Sequence, residues 1–507
     1  MKNLHQKIEN IFINKVFLLL ILLSVALNSV QAQDLTEFEK RMTKFTLSNG
    51  LKFLVLERHE SPVISFHIYA DVGAVDEVKG ITGLAHLFEH MAFKGTKTIG
   101  TKNYKAEAGA MAVMDNLFDQ IKVELRKGDK ADESKLEELR NQFKQAQEEA
   151  QKYIVHDEYE EIYTREGASG FNAYTGQDAT QYIISLPSNK IELWMSLESD
   201  RFANPVLREF YKERDVVMEE RRMMENSPSG RLSEEFNAIA YLAHPYGDSV
   251  IGHMSDIRTL TRSEAESFFS KYYCPSNLTI AMVGDVNPQE VKHLAEKYFG
   301  RIPSGPKPEP VETEEPPQLG ERRVVIEDPS QPLVWIGYHQ PNVNHPDNAV
   351  FQVISVIMSS GRTSRLYKSL ITEKKIAITA RAGLSWSKYP GLFNFLAAPA
   401  KGHTNKECEE AIYAEIEKLK TEPVLPEELT KAKTHVRANL IRQLAYNDGL
   451  AESLTFYEVV TGDWRNLFEE LNKIEQVNEK DIQRVASEYF TRKNRTVGVI
   501  ETIQTED

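Results

Sequence analysis

Apolar residues alternate with polar ones, or run together in short blocks, over LKFLVLER (51–58) and VISFHIYADVG (63–73). The period then changes: in ITGLAHLFEHMAF (81–93) apolar residues return every three or four positions. A period of two predicts strands and one near 3.6 predicts a helix, so the first half opens strand, strand, helix. Residues 108–163 change character again, becoming dense in Glu, Lys, Gln and Leu, with KGDKAD in the middle. That composition predicts a charged helical hairpin with KGDKAD at its tip. As a solvated insertion it needs no further role; a docking arm is the sharper alternative.

The pattern also repeats. FFSKYYCPSNLTIAMVGD (268–285) and VASEYFTRKNRTVGVIET (485–502) each read as a helix ending in an aromatic pair, a polar turn and an apolar strand. Tyr272, Tyr273, Asn277 and Thr279 match Tyr489, Phe490, Asn494 and Thr496 at one offset of 217. The two halves therefore read as copies of one α+β unit, a mainly antiparallel sheet with helices packed on it. Between them PSGPKPEPVETEEPPQLG (303–320) is too rich in Pro and Glu to fill a core and predicts an extended, solvated linker. The expected domains are a first lobe at 33–302, this linker, and a second lobe at 321–507.

The N-terminus changes the setting. A basic stretch, the apolar run Val16 to Leu27 and small residues at Val30 and Ala32 predict a signal peptide over residues 1–32. The run is too short and too early to serve as a membrane span, so the expectation is an exported protein, periplasmic or extracellular, with no stable membrane insertion after cleavage. Losing residues 1–32 removes three Lys and one Glu, moving the formal charge from −14 to −16. Such acidity argues against nucleic acid or an anionic membrane as partner. Two cysteines in 507 residues exclude a disulfide framework, leaving only a single Cys274–Cys408 bridge open.

HLFEH (86–90) carries the candidate chemistry. On a helix, i and i+4 project side by side, so His86 and His90 can share one tetrahedral zinc. Glu89 lies on nearly the same face, where a carboxylate can take a proton from a water in the metal's open position. HxxEH is the inverse of the HExxH zinc motif. A third ligand is offered by REFYKERDVVMEERRMMENSP (208–228), where Glu213 and Glu220 lie seven apart and share a face. Spacing alone does not choose between Glu219 and Glu220.

GLAHLFEHMAFKGT, SGFNAYTGQDATQYIISLPS, ERDVVMEERRM, HPYGDSVIGHMSDI and YYCPSNLTIAMVGDV, in that order, resemble the pitrilysin/insulinase family of zinc metallopeptidases. The likeness spans essentially the whole mature chain and is greatest to the shorter branch that includes mitochondrial processing peptidase and bacterial relatives. It implies two homologous lobes of the processing-peptidase type, and one Zn2+ per chain held by His86, His90 and Glu220. It also implies Glu89 as base and Glu213 as a partner that orients a ligand. Asn172, Ala173 and Tyr174 fall where the family has an edge strand to which the substrate peptide adds as a further strand.

Two departures stand out. The distance from His90 to Glu220 is tens of residues longer than usual, an excess the charged hairpin accounts for. The family's Arg and Tyr, seven residues apart, which reach the substrate from the second lobe or from a partner, fall here on Ile371 and Ile378, neither able to hydrogen-bond an oxyanion. Arg362, Arg365 and Tyr367 offer a shifted pair. Otherwise a second family member completes the site in a heterodimer, with a homodimer as the other arrangement. The expected activity is a zinc endopeptidase cutting extended or unfolded peptides. The alternatives are a non-catalytic assembly subunit and a peptide-binding protein of the same fold.

Overall fold

The computed structural model describes residues 34–503; the expected signal peptide lies outside them. None of the described helices is long and apolar enough to cross a membrane. Two sheets organise the chain. The first has the order β1-β2-β6-β3-β5-β4, built from β1 (Met42–Thr46), β2 (Lys52–Glu57), β3 (Val63–Ala70), β4 (Ser169–Thr175), β5 (Thr180–Pro187) and β6 (Leu278–Gly284). The second has the order β7-β11-β8-β10-β9, from β7 (Arg322–Asp328), β8 (Leu333–Gln340), β9 (Ala377–Leu384), β10 (Gly391–Pro399) and β11 (Arg495–Thr502). All pairs are antiparallel but two, β2 with β6 and β7 with β11. Omitting β1, the two orders superimpose strand for strand, as the repeated pattern predicts.

The repeat has a physical reason at its matched asparagines. Asn277 donates to the carbonyls of Asp71 and Tyr272 (3.0 and 2.9 Å), and Asn494 donates to those of His339 and Tyr489 (both 2.9 Å). Each amide ties the end of a helix to the end of a neighbouring strand. Both sit in N-x-S/T patterns, but these amides are occupied with folding.

Each sheet buries one face on its own helices, giving two separate apolar cores. The opposite faces are covered by exchange, which the expected division into lobes does not foresee. Helix Asn447–Val460, from the second half, lies on β3 and β6, packing Leu450, Ala451 and Leu454 against Leu54, Leu56, Ala281 and Val283. Helix Pro228–Ala240, from the first half, lies on β7 and β11, with Phe236 stacked on Trp335 at 4.6 Å. Gly337 and Gly498 make room for it: a Cβ at Gly337 would stand 2.7 Å from Phe236 Cζ, and one at Gly498 2.9 Å from Leu232. Polar contacts fix both crossings. Arg322 donates to the carbonyls of Ile239 and Ala240 at one helix end (2.8 and 2.7 Å), and Lys52 pairs with Glu458 on the other helix (2.7 Å).

The charged segment is a helical hairpin, Tyr104–Leu125 and Glu133–Gln151, with the tip in the predicted KGDKAD. It starts four residues before 108, and the final stretch forms a separate short helix, Glu158–Arg165. Leu136 and Leu139 pack on Leu117 and Ile121 between the two arms, so the hairpin carries its own small core. The 303–320 stretch is extended, yet not simply solvated. Glu315 accepts from the amides of Leu242, Ala243 and His244 (2.7, 2.8 and 3.1 Å), and Gln318 donates to Arg495 O (2.7 Å), so it is pinned across both halves. Both cysteines are free and buried, each in its own half.

Candidate metal centre

The eight-residue helix Leu84–Met91 turns Leu84, Ala85, Leu87, Phe88 and Met91 into the first core, which leaves His86, Glu89 and His90 on the outer face. Facing it, helix Phe210–Asn226 buries Phe210, Tyr211, Arg214, Val217 and Arg221 and presents Glu213 and Glu220. The meeting brings His86 Nε2 and His90 Nε2 to 3.9 and 3.8 Å from Glu220 Oε2, and the three ligand atoms lie within 4.8 Å of one another. Glu219 points elsewhere, pairing with Arg222 at 2.7 Å. Geometry thus selects the glutamate that spacing left open.

Electrostatics suits a metal. Burial, with His90 close by, pushes the His86 imidazole down to about 4, so it is neutral and has a lone pair to give near pH 7. Burial also works against charge on His90, but the bond to Glu213 and the carboxylates of Glu220 and Glu89 outweigh it and raise its value. Nδ1 of His90 lies 3.0 Å from Glu213 Oε1, an arrangement that directs Nε2 at the cluster. Although burial opposes it, Glu213 is held down at about 2 by His90 and by Lys94, 2.7 Å away. Glu89 is raised chiefly by burial, with Glu220 adding to the rise and hydrogen bonds from Thr175 opposing it. A carboxyl raised in this way is suited to accept a proton.

Strand β4 forms the free edge of the first sheet, paired on one side only, with β5. Asn172 is exposed, Ala173 is buried, and Tyr174 donates through its hydroxyl to Gln181 and to Glu452 of the exchanged helix, both at 3.1 Å. The next residue, Thr175, reaches Glu89, so the edge strand runs directly to the proposed base. Thr175 and Lys94 escaped the sequence reading; strand alternation next to SGFNAY pointed at the first, whereas nothing in the pattern pointed at the second. A cavity of about 250 Å³ opens beside Glu89 and His90, walled on the far side by His156, Asp157 and Glu158. These three residues come from the end of the charged segment, which therefore borders the site.

Ile371 and Ile378 are not gathered at the cluster's helices. Ile371 packs on the second core and Ile378 is exposed on β9. Of the shifted candidates, Arg365 is engaged by both oxygens of Glu428 (2.9 and 2.8 Å). His244, in HPYGDSVIGH, is packed among Tyr241, Tyr246 and Tyr389 and receives the Tyr246 amide. It is a core residue.

The family model described as insulinase (peptidase family M16) matches residues 52–122 and 132–253, and that of the peptidase M16 inactive domain matches 259–436. The chain belongs to the M16 peptidase family. Among curated relatives, zinc protease PqqE of Helicobacter pylori is 28% identical over 454 residues, covering 88% of this chain and 89% of that protein. A probable mitochondrial-processing peptidase subunit beta of Arabidopsis thaliana is 22% identical and covers 92% and 79%. Among solved structures, a protease from Helicobacter pylori matches with a TM-score of 0.76 at 28% identity over 91% of this chain and 99% of that one. A chain of complex III2 from Candida albicans matches at 0.68 and 15% identity, covering 91% and 96%, a likeness of fold. The M16 relatives named as zinc proteases support a peptidase-type function.

Proposed function

We propose that this M16 protein is an exported zinc endopeptidase that cuts extended or unfolded peptides. One observation carries the reading: His86, His90 and Glu220 from two facing helices converge to within 4.8 Å, with Glu89 beside them. Two imidazole nitrogens and one carboxylate are a donor set that suits zinc, with a fourth position left for water or substrate. Zinc, when bound, supplies Lewis acidity that makes water reactive near neutral pH and polarises a carbonyl. The chain does the rest. Glu213 orients His90, β4 aligns the substrate backbone as an added strand, and Glu89 takes the proton from the attacking water and delivers it to the leaving nitrogen.

The second lobe supports a further step in this reading. With apolar Ile371 and Ile378 at the family's Arg and Tyr positions and Arg365 committed to Glu428, oxyanion donors come from a second M16 chain. The Arabidopsis relative is itself named as a subunit. Purified chain loaded with one equivalent of zinc is to be assayed on an unstructured fluorogenic peptide, alone and with co-purifying partners. Expected are turnover that needs the partner, loss on chelation, and loss in Glu89→Gln with zinc retained. Turnover by the chain alone that survives Arg365→Ala and Tyr367→Phe would sink the partner requirement. A wild-type chain that takes up no zinc, and is inert with every partner, would instead favour an assembly subunit.

A further inference from the structure

The metal-bearing helix begins without a cap of its own. Its N-cap position is Gly83, at φ +89°, which has no side chain to accept from the free amides of the first turn. A larger residue is barred, because a Cβ there would stand 2.6 Å from the carbonyl oxygen of Ile251. The acceptor comes from six residues upstream: Glu77 Oε2 receives Gly83 N–H at 2.7 Å and Oε1 receives Ala85 N–H at 2.6 Å. Asp256 holds the preceding stretch, receiving Gly80 N–H at 2.9 Å, Thr82 N–H at 3.3 Å and Thr82 Oγ1 at 2.8 Å. Gly252 closes the same joint, since a Cβ on it would lie 2.5 Å from Gly83 N. HPYGDSVIGHMSDI thus acts as a brace behind the metal helix.

His86 is the third residue of a helix only eight residues long. A helix of that length draws little support from its own hydrogen-bond ladder, so the direction in which its first turn points depends on what binds the end amides. His90, a turn later, has Glu213 to orient it. No hydrogen-bonding neighbour of that kind holds the His86 ring among the described residues.

We propose that Glu77 is a positioning residue for the metal centre: by binding the Gly83 and Ala85 amides it fixes the turn from which His86 projects, and so sets metal affinity without contacting the metal. This rests on reading His86, His90 and Glu220 as the metal ligands. The test compares wild type, Glu77→Gln and Glu77→Leu in zinc affinity, by competition with a chromophoric chelator, and in amide exchange of the metal-free chain. Glu77→Leu is expected to bind zinc about 10- to 100-fold more weakly, the range seen when an outer partner of a ligand is lost. Exchange should accelerate at residues 83–86, and the thermal midpoint should fall by no more than about 3 °C. Glu77→Gln keeps a carbonyl acceptor and should recover most of the affinity. Wild-type affinity in Glu77→Leu overturns the inference, as does exchange that rises across the whole first sheet. A wild-type chain that takes up no zinc overturns the metal reading and this inference with it; zinc uptake by wild type alongside an unmoved Leu variant overturns the inference alone.

Discussion

Helix Phe210–Asn226 in the first half and helix Pro426–Ala445 in the second occupy the same place in the repeat. Each leads through a single residue, Ser227 or Tyr446, into the helix that crosses to the other sheet. Counted back from those two linking residues, an offset of 219, Glu213 and Glu220 stand against Ala432 and Asn439. The helices they face differ in the same way. Leu84–Met91 keeps two imidazoles and a carboxylate on its outer side, whereas Asn348–Ser359 is buried along most of its length. One backbone plan therefore supports a cluster of two histidines and a glutamate in one lobe and a plain core in the other. The chemistry resides in a handful of side chains grafted on a duplicated frame.

The largest effect should come from attacking the difference itself. His86→Ala should weaken zinc binding beyond the roughly 100-fold of an outer-partner loss, read by metal content after dialysis. Asn439→Ala, at the position matching Glu220, should leave zinc uptake unchanged; a drop would show that the second lobe shapes the site. Next comes what the lobes share. Phe236→Ala removes a fully buried ring beneath the second sheet and should cost about 3–5 kcal/mol in urea unfolding. Leu454→Ala beneath the first should cost about 2–5 kcal/mol. Because each helix belongs to one half and covers the other, both variants should shift a single transition; two separating transitions would break the picture of interlocked lobes.

Smaller and matched effects are expected at the repeat's hinges. Asn277→Ala and Asn494→Ala each strand two carbonyls and should cost about 1–3 kcal/mol apiece. Unequal costs would mean that the lobes have diverged in more than their active residues. The last test is acid. His67 on β3 is fully buried under the exchanged helix, 2.8 Å from Thr455 Oγ1, and burial pushes it down to about 3, although a Gln181 hydrogen bond opposes that. Between pH 6.5 and 3 the unfolded chain binds a proton that the folded His67 refuses. Stability is therefore complete above 6.5 and declines as pH falls, at about 1.4 kcal/mol per pH unit. His67→Leu should flatten that slope in metal-free protein, and an unchanged slope would assign the acid sensitivity to other groups.

Strand and helix periods, the duplicated signature of an aromatic pair followed by Asn-x-Thr, and the hairpin tip were all legible in the sequence, because each is a local pattern set by backbone geometry. So was the pairing of His86 with His90, which follows from 3.6 residues per turn. For the candidate third ligand the family resemblance singled out Glu220, but spacing alone did not choose between Glu219 and Glu220. A rotation of about 100° separates them, and the packing of helix Phe210–Asn226 against helix Leu84–Met91 decides which one turns inward.

The exchange of helices Pro228–Ala240 and Asn447–Val460 was invisible for a related reason. Their apolar faces announce burial but not against which sheet, and two copies of one unit offer each helix two near-equivalent faces. The capping of helix Leu84–Met91 also belongs to the tertiary structure: the loop's fold brings Glu77 back to receive the Gly83 and Ala85 amides. The sequence by itself determined the main elements, their duplication and the candidate zinc ligands. Tertiary structure decided which surfaces meet, because burial is non-directional and only the packed chain says what lies on the other side.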